Sequence, residues 1–263
     1  MAELFDTHFH LYPEEDDAAA ILKAARAAGV ATLTAIATDL ESSLRLAETA
    51  ASLADPALGI AVGVHPHEAA KFDRGQLPRF RELTARPPVW AVGEIGLDYH
   101  YDFSPRPEQH LVFATFLELA LAVGLPVVVH CREAEEDCLK VLRDSGVAGR
   151  LRILFHSFTG EADWARRFLD EFDAWFSFNG IATFKQADNV RAALAAVPDR
   201  RLLLETDSPY LAPPPFRGKR NSPAHLPHIA EFIAAQRGLS RDRLAALTTV
   251  NARAFFGLAQ ESH

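Results

Sequence analysis

Cysteine is scarce in this chain: only Cys131 and Cys138 occur among 263 residues. Their spacing fits neither a zinc-knuckle pair nor a disulfide framework, so both are read as free thiols. An excess of positive charge is missing too. With 27 basic and 35 acidic residues the formal net charge is −8, which argues against a protein that coats long stretches of nucleic acid through many phosphate contacts. A small basic mouth around an acidic site remains compatible with that average. No apolar run reaches the roughly 18 residues of a membrane helix, and no basic-then-apolar leader opens the sequence. These absences predict a cytoplasmic protein without a membrane partner. An internal repeat, a low-complexity tract and a linker long enough to divide the chain are also lacking. The first β-to-α turn carries no glycine fingerprint for a dinucleotide, and no GxSxG nucleophile elbow occurs.

What is present is a regular alternation. Eight β-type runs, "ELFDTH", "ATLTAIA", "GIAVGVH", "PVWAVGEI", "PVVVHC", "RILFHSF", "AWFSFNG" and "RLLLETD", are each followed by helix or loop. The segment Asp16 to Gly29, "DDAAAILKAARAAG", shows the helical pattern: acids open it, alanines fill it and a glycine closes it. Continuous apolar runs such as Val127 to Val129 mark parallel strands covered on both faces. A chain with 49% hydrophobic residues has ample core for one domain of this length. The expected α/β fold is a single-domain (β/α)8 TIM barrel over residues 1–263, with a doubly wound open sheet as its competitor. The irregular stretch Pro209 to Pro223, "PYLAPPPFRGKRNSP", cannot continue a helix and is read as a functional loop after strand eight. Two helices finish the chain, one from about Ala224 to Arg237 and one opened by Ser240 as N-cap.

The strand ends carry polar residues: His10, His65, Glu94, His130, His156, Asn179 and Asp207. In a (β/α)8 barrel these ends open onto one face, where active sites are built. His8 precedes His10 by two positions, so both imidazoles can face one point if the strand alternates. A lone histidine at a strand end is more often a structural hydrogen-bonding group than a ligand. A set of imidazoles and carboxylates buried together is costly unless something pairs with them, and divalent cations accept both donor types. A single tetrahedral zinc needs only three protein ligands and a water, so His8, His10, Glu94, His130, His156 and Asp207 suit two cations better than one.

The motifs "DTHFH", "GVHP", "GEIGLDYH", "PVVVHCRE", "FHSFTG", "SFNG" and "LLETDSPYLAP" followed by "FRGKRNSPAHLP" resemble the motif series of the TatD family of metal-dependent deoxyribonucleases, which are amidohydrolase-type barrels. The resemblance runs from Phe5 to about Asn251. It implies that His8, His10, Glu94 and Asp207 hold one metal, that Glu94, His130 and His156 hold a second, and that Glu94 bridges them. It departs from the family pattern at Tyr12, where "HLD" is usual, and at Ser222, where "RNEP" is usual. The implied activity is hydrolysis of DNA phosphodiester bonds, as a 3′-5′ exonuclease acting on single-stranded ends in DNA repair. A monomer is expected, although no residue pattern specifies the oligomeric state.

Two cations about 3.5 to 4 Å apart can activate a shared water and clamp the oxygens of a phosphodiester. Mg²⁺, Mn²⁺ and Zn²⁺ all stay open: the histidines suit Zn²⁺ and Mn²⁺, and phosphate chemistry often uses Mg²⁺ or Mn²⁺. Asp207 is read as ligand and as the base for the attacking water, while Glu205, two residues earlier, is the buried alternative. His65 is expected to face the scissile phosphate, with orientation of a ligand as its bland alternative. Arg132, Arg217, Lys219 and Arg220 are candidates to grip substrate phosphate, although a run such as "RGKR" is usually a solvated loop. Asp98 and Tyr99 are read as shaping the loop after strand four or lining a groove. Trp90, Trp164 and Trp175 are assigned to packing, Asn251 to tying the final helix, and Cys131 to the opposite strand face. Two rival readings are a barrel hydrolase acting on an amide, lactone or phosphomonoester, and a metal-binding protein without turnover.

Overall fold

The computed structural model describes residues 2–12 and 14–259. The eight β-type runs all form strands: β1 (Leu4–Phe9), β2 (Val30–Ile36), β3 (Leu58–Val62), β4 (Val89–Asp98), β5 (Val127–Arg132), β6 (Ile153–Phe155), β7 (Trp175–Phe178) and β8 (Leu202–Leu204). Each pairs in parallel with the next, so the sheet order follows the sequence order. Helices fill the crossovers: α1 (Ala18–Ala27), α2 (Leu40–Leu53), α3 (Leu77–Thr84), α4 (Arg106–Val123), α5 (Glu135–Asp144), α6 (Ala162–Phe172) and α7 (Asp188–Ala196). After β8 come α8 (Leu226–Arg237) and α9 (Arg241–Phe256). This is the expected (β/α)8 TIM barrel. None of the described helices is long and apolar enough to cross a membrane.

The caps follow from the sequence. Asp17 accepts from Ala20 N at the start of α1 (3.0 Å), and Ser240 accepts from Arg243 N at the start of α9 (3.2 Å). The helix expected from Ala224 begins at Leu226 instead. A 3₁₀ turn over Pro223–His225 precedes it, and Pro227, which lacks an N–H, fits only in the first turn of a helix.

Apolar side chains form two layers. The larger one lies between strands and helices. The smaller one fills the barrel interior with Phe5, Val128, Leu154, Trp175 and Leu203, and α9 adds Phe255 and Phe256 to it. Asn251 Nδ2 ties α9 to the start of β8 by donating to Asp199 O (2.6 Å) and Leu202 O (2.9 Å). Cys131 and Cys138 are buried free thiols.

Two local features aim the strand ends. Strict alternation from the inward-facing Phe5 would send His8 outward, but the β1–β2 register shifts between Asp6 and Phe9, and His8 turns toward the mouth. At the β8–β1 seam, Asp207 N donates to His8 O (2.9 Å) and His10 N to Ser208 O (2.7 Å). Asp6, wholly buried, accepts from Thr206 N (2.9 Å) and Thr206 Oγ1 (2.6 Å), and burial pushes its carboxyl up to about 8.

Candidate metal centre

Six of the residues singled out in the sequence meet at the C-terminal mouth of the barrel, around the buried carboxylate of Glu94. A cleft of about 420 Å³ opens there, lined by His10, His65, Glu94, His130, His156 and Asp207, together with His67, Tyr12, Tyr101 and Tyr210. Glu94 divides the group. Its Oε2 lies 3.4 Å from His8 Nε2 and 3.9 Å from His10 Nε2. Its Oε1 lies 2.7 Å from His130 Nδ1, 2.6 Å from His156 Nε2 and 3.3 Å from His65 Nε2. Asp207 Oδ1 joins the first set, 3.5 Å from His10 Nε2 and 3.8 Å from His8 Nε2. Asp207 reaches this position with φ at +53°, a left-handed conformation more accessible to Asp than to most residues.

The donor chemistry fits divalent cations. His10 Nδ1 faces Ile36 O at 3.3 Å, which puts the ring proton on Nδ1 and turns the Nε2 lone pair toward His8 Nε2, 3.4 Å away. Glu94 Oε2 and His8 Nδ1 are buried without a hydrogen-bond partner among the described residues. Donors about 2.0–2.2 Å from one tetrahedral ion stand about 3.3–3.6 Å apart; in the His8, His10, Glu94 and Asp207 set three separations, 3.4, 3.4 and 3.5 Å, lie in that range, and two, 3.8 and 3.9 Å, exceed it by a few tenths of an ångström. On the other side, His130 Nε2 lies 2.9 Å from Asp98 Oδ2 and donates to it, which leaves its Nδ1 lone pair facing a carboxylate oxygen. A proton or a cation has to lie between them.

The electrostatics agree. Burial alone would raise the Glu94 carboxyl, but His156, His65 and His130 outweigh it and hold the group well below the ordinary carboxylate range. His156 moves up despite burial, because Glu94 and Glu205 favour its cation. His8 moves down through burial and the neighbouring His156, whose ring stacks on it with centroids 3.8 Å apart. Burial also lowers His65, to about 4. His65 Nδ1 accepts from His67 N (3.1 Å), so the proton of the neutral ring sits on Nε2, toward Glu94.

Glu205 is the buried supporting group that its position foreshadowed. It accepts from Ser157 N (2.8 Å) and Asn179 Nδ2 (3.2 Å) and stands 3.5 Å from His156 Nδ1. Asn179 therefore braces Glu205 instead of facing the cleft. Asp98 is not in a loop. β4 runs on to Asp98, paired with β5 through Gly96 opposite His130 and Asp98 opposite Arg132. Gly96 has φ at +142°, and a Cβ there would stand 1.9 Å from His130 O, so only glycine lets the two strands approach this closely. Asp98 is completely buried and also lies 3.1 Å from His67 Nε2. Asp98, expected to shape a loop or line a groove, instead braces His130 and His67 from within the strand, and His67, two residues past His65, carries no signal of its own in the sequence.

The basic candidates lie outside the cleft lining. Arg132 places its guanidinium 5.2 Å from the centre of the Tyr101 ring. Arg217 stacks on Phe184 at 3.5 Å, Arg220 pairs with Asp16 at 2.7 Å, and Lys219 is exposed on the same loop.

Known proteins match this chain over most of its length. Residues 5–257 fit the family model of the TatD related DNases. An uncharacterized metal-dependent hydrolase of Bacillus subtilis, YabD, is 37% identical over 255 residues, covering 96% of this chain and 98% of the relative. A 3′-5′ ssDNA/RNA exonuclease TatD of Erwinia amylovora is 36% identical, covering 90% of this chain and 93% of the relative. Among solved structures, the TatD homologue YjjV of Escherichia coli superposes with a TM-score of 0.89 at 29% identity, covering 97% of this chain and 98% of that one. By sequence and by fold, the chain belongs to the TatD related DNase family.

Proposed function

We propose that this protein is a metal-dependent hydrolase that cleaves DNA phosphodiester bonds, removing nucleotides from the 3′ end of a single strand. The observation that carries this reading is the division of Glu94: one oxygen faces His8 and His10, and the other faces His130 and His156. His8, His10, Glu94 and Asp207 would hold one divalent cation, and Glu94, His130 and His156 a second. When bound, such a pair lowers the pKa of a shared water and stabilises charge on the attacking and leaving oxygens of a phosphodiester. Asp207, kept ionised by the surrounding imidazoles despite its burial, accepts the proton of the attacking water. His65, whose Nε2–H faces Glu94 at 3.3 Å, would turn that neutral donor to a phosphate oxygen once Glu94 holds the cations, without adding charge. Arg132, Arg217, Lys219 and Arg220 bind phosphates farther along the strand. The relative named as an ssDNA/RNA exonuclease supports the same substrate class.

The test follows end-labelled single- and double-stranded DNA and RNA with metal-stripped protein, restoring Mg²⁺, Mn²⁺ or Zn²⁺ in turn, beside Glu94→Ala and His130→Ala. Metal-dependent shortening from the 3′ label, lost in both variants, is the expected result. Variants that digest as fast as the parent would overturn it.

A further inference from the structure

Large apolar side chains are mostly covered in this barrel, and those that are not fall in a telling place. Among the described residues, Tyr101 (49% exposed), Phe103 (68%) and Tyr210 (52%) are three of five exposed large hydrophobics. All three stand at or beside the mouth over Glu94. Tyr101 and Tyr210 line the cleft, and Phe103 packs 5.4 Å from Tyr101, ring centre to ring centre.

The Tyr101–Phe103 pair is held firmly. His67 meets Tyr101 edge-on at 5.5 Å and Phe103 at 4.8 Å, and His67 is itself anchored to the buried Asp98. Tyr101 N donates to Asp98 Oδ1 (2.8 Å), so the same carboxylate that orients His130 also fixes the turn bearing Tyr101. Arg132 lies over one face of the Tyr101 ring, which places a cation beside an aromatic surface at the edge of the site. Across the mouth the hydroxyls of Tyr12 and Tyr210 are 3.0 Å apart, which forms a second wall.

We infer that Tyr101 and Phe103 form a stacking platform for one unpaired nucleobase next to the scissile phosphate, with Arg132 meeting the phosphate on that nucleotide. The inference rests on the nucleic-acid reading above and specifies which residues grip the base. Stacking on an aromatic face tolerates every base and requires one free of a duplex partner. A paired terminus would have to fray before its base could reach Tyr101, and the platform therefore selects single strands without selecting sequence.

The test uses the full chain loaded with the metal that best supports digestion, the variants Tyr101→Ala, Phe103→Ala and Phe103→Trp, and oligonucleotides carrying one abasic residue at successive positions from the 3′ end. For the parent, an abasic residue at one particular position should raise KM by about ten-fold or more. The alanine variants should show a similar rise on the normal strand and little further rise on that abasic strand, because base and ring act on each other. Phe103→Trp should retain the parent KM. Metal content, measured on each variant, should stay at the parent value. The platform is refuted if the alanine variants keep the parent KM, or if abasic and alanine losses simply multiply at every position. A parent that leaves every strand undigested while turning over a non-nucleic ester would instead overturn the nucleic-acid reading itself.

Discussion

The two sides of Glu94 are built by different means. Where β1 meets β8, orientation comes from the main chain: His10 Nδ1 faces Ile36 O, Asp207 N is held by His8 O, and His8 Nδ1 has no partner among the described residues. Between β4 and β6, carboxylates stand behind the imidazoles: Asp98 holds His130 by a hydrogen bond of 2.9 Å, while Glu205 lies 3.5 Å from His156 Nδ1, which like His8 Nδ1 has no hydrogen-bond partner among the described residues. A carboxylate behind an imidazole raises its basicity more than a carbonyl does and so strengthens it as a ligand. The two candidate cation sites are therefore unequal. A chelator titration of metal-loaded protein should remove the ions in two steps, with the β1/β8 ion leaving first. A single cooperative loss of both ions would contradict the comparison.

Glu94→Gln strikes the one group common to both sides and should have the largest effect. The variant keeps the shape and loses the charge that offsets the surrounding imidazoles, so both ions should bind poorly and DNA digestion should fall about a thousand-fold or more. Metal analysis by mass spectrometry and a single-turnover assay would check it. Retention of one full equivalent of metal would show that the two sides are independent of their bridge.

Asp98→Asn comes next and breaks only one side. It preserves the packing against His67 but removes the charge behind His130, and it should weaken one metal equivalent by roughly 10- to 100-fold while leaving the other near the parent value. Calorimetric titration with Mn²⁺ would separate the two. Equal weakening of both equivalents would mean that Asp98 acts on the whole mouth and not on His130 in particular.

That Asp98 matters could not be read from the sequence, whereas most of the cluster could. His8, His10, Glu94, His130, His156 and Asp207 each sit in or just after an apolar run, so a barrel whose strands all end at one mouth was enough to group them. Asp98 needed a strand three residues longer than "PVWAVGEI" promised, and that extension depends on the close approach of Gly96 to His130 O. The turn of His8 toward the mouth rests on a register shift, which no residue pattern announces. Tyr12 and Tyr210 meet across 198 residues of sequence, a contact that only the closed barrel creates. The basic loop shows the opposite limit. "FRGKR" was legible as positive charge, but pairing with Asp16 and stacking on Phe184 engage Arg220 and Arg217 outside the cleft lining.

The bottom of the barrel offers a smaller effect that separates stability from chemistry. Asn251→Ala removes the donor that serves Asp199 O and Leu202 O, far from either candidate site; Asp199 O keeps the Leu202 N–H, and Leu202 O loses its side-chain donor. The cost should be about 1–3 kcal/mol, seen as a melting temperature lower by several degrees. Digestion at a temperature where both proteins are folded should be unchanged.

The smallest expected effect belongs to Lys219. It is exposed on the loop after β8 and, among the described residues, has no ring or carboxylate contact like those that engage Arg217 and Arg220. As a phosphate contact it would act as a point charge, so Lys219→Ala should raise KM only a few-fold and lower the slope of log affinity against log salt by about one. Metal stoichiometry and turnover at saturating DNA should match the parent, because the side chain touches neither side of Glu94. Assays across a range of KCl concentrations would measure that slope. An unchanged slope would place the phosphate track elsewhere, toward Arg132 and the wall that β4 and β5 build.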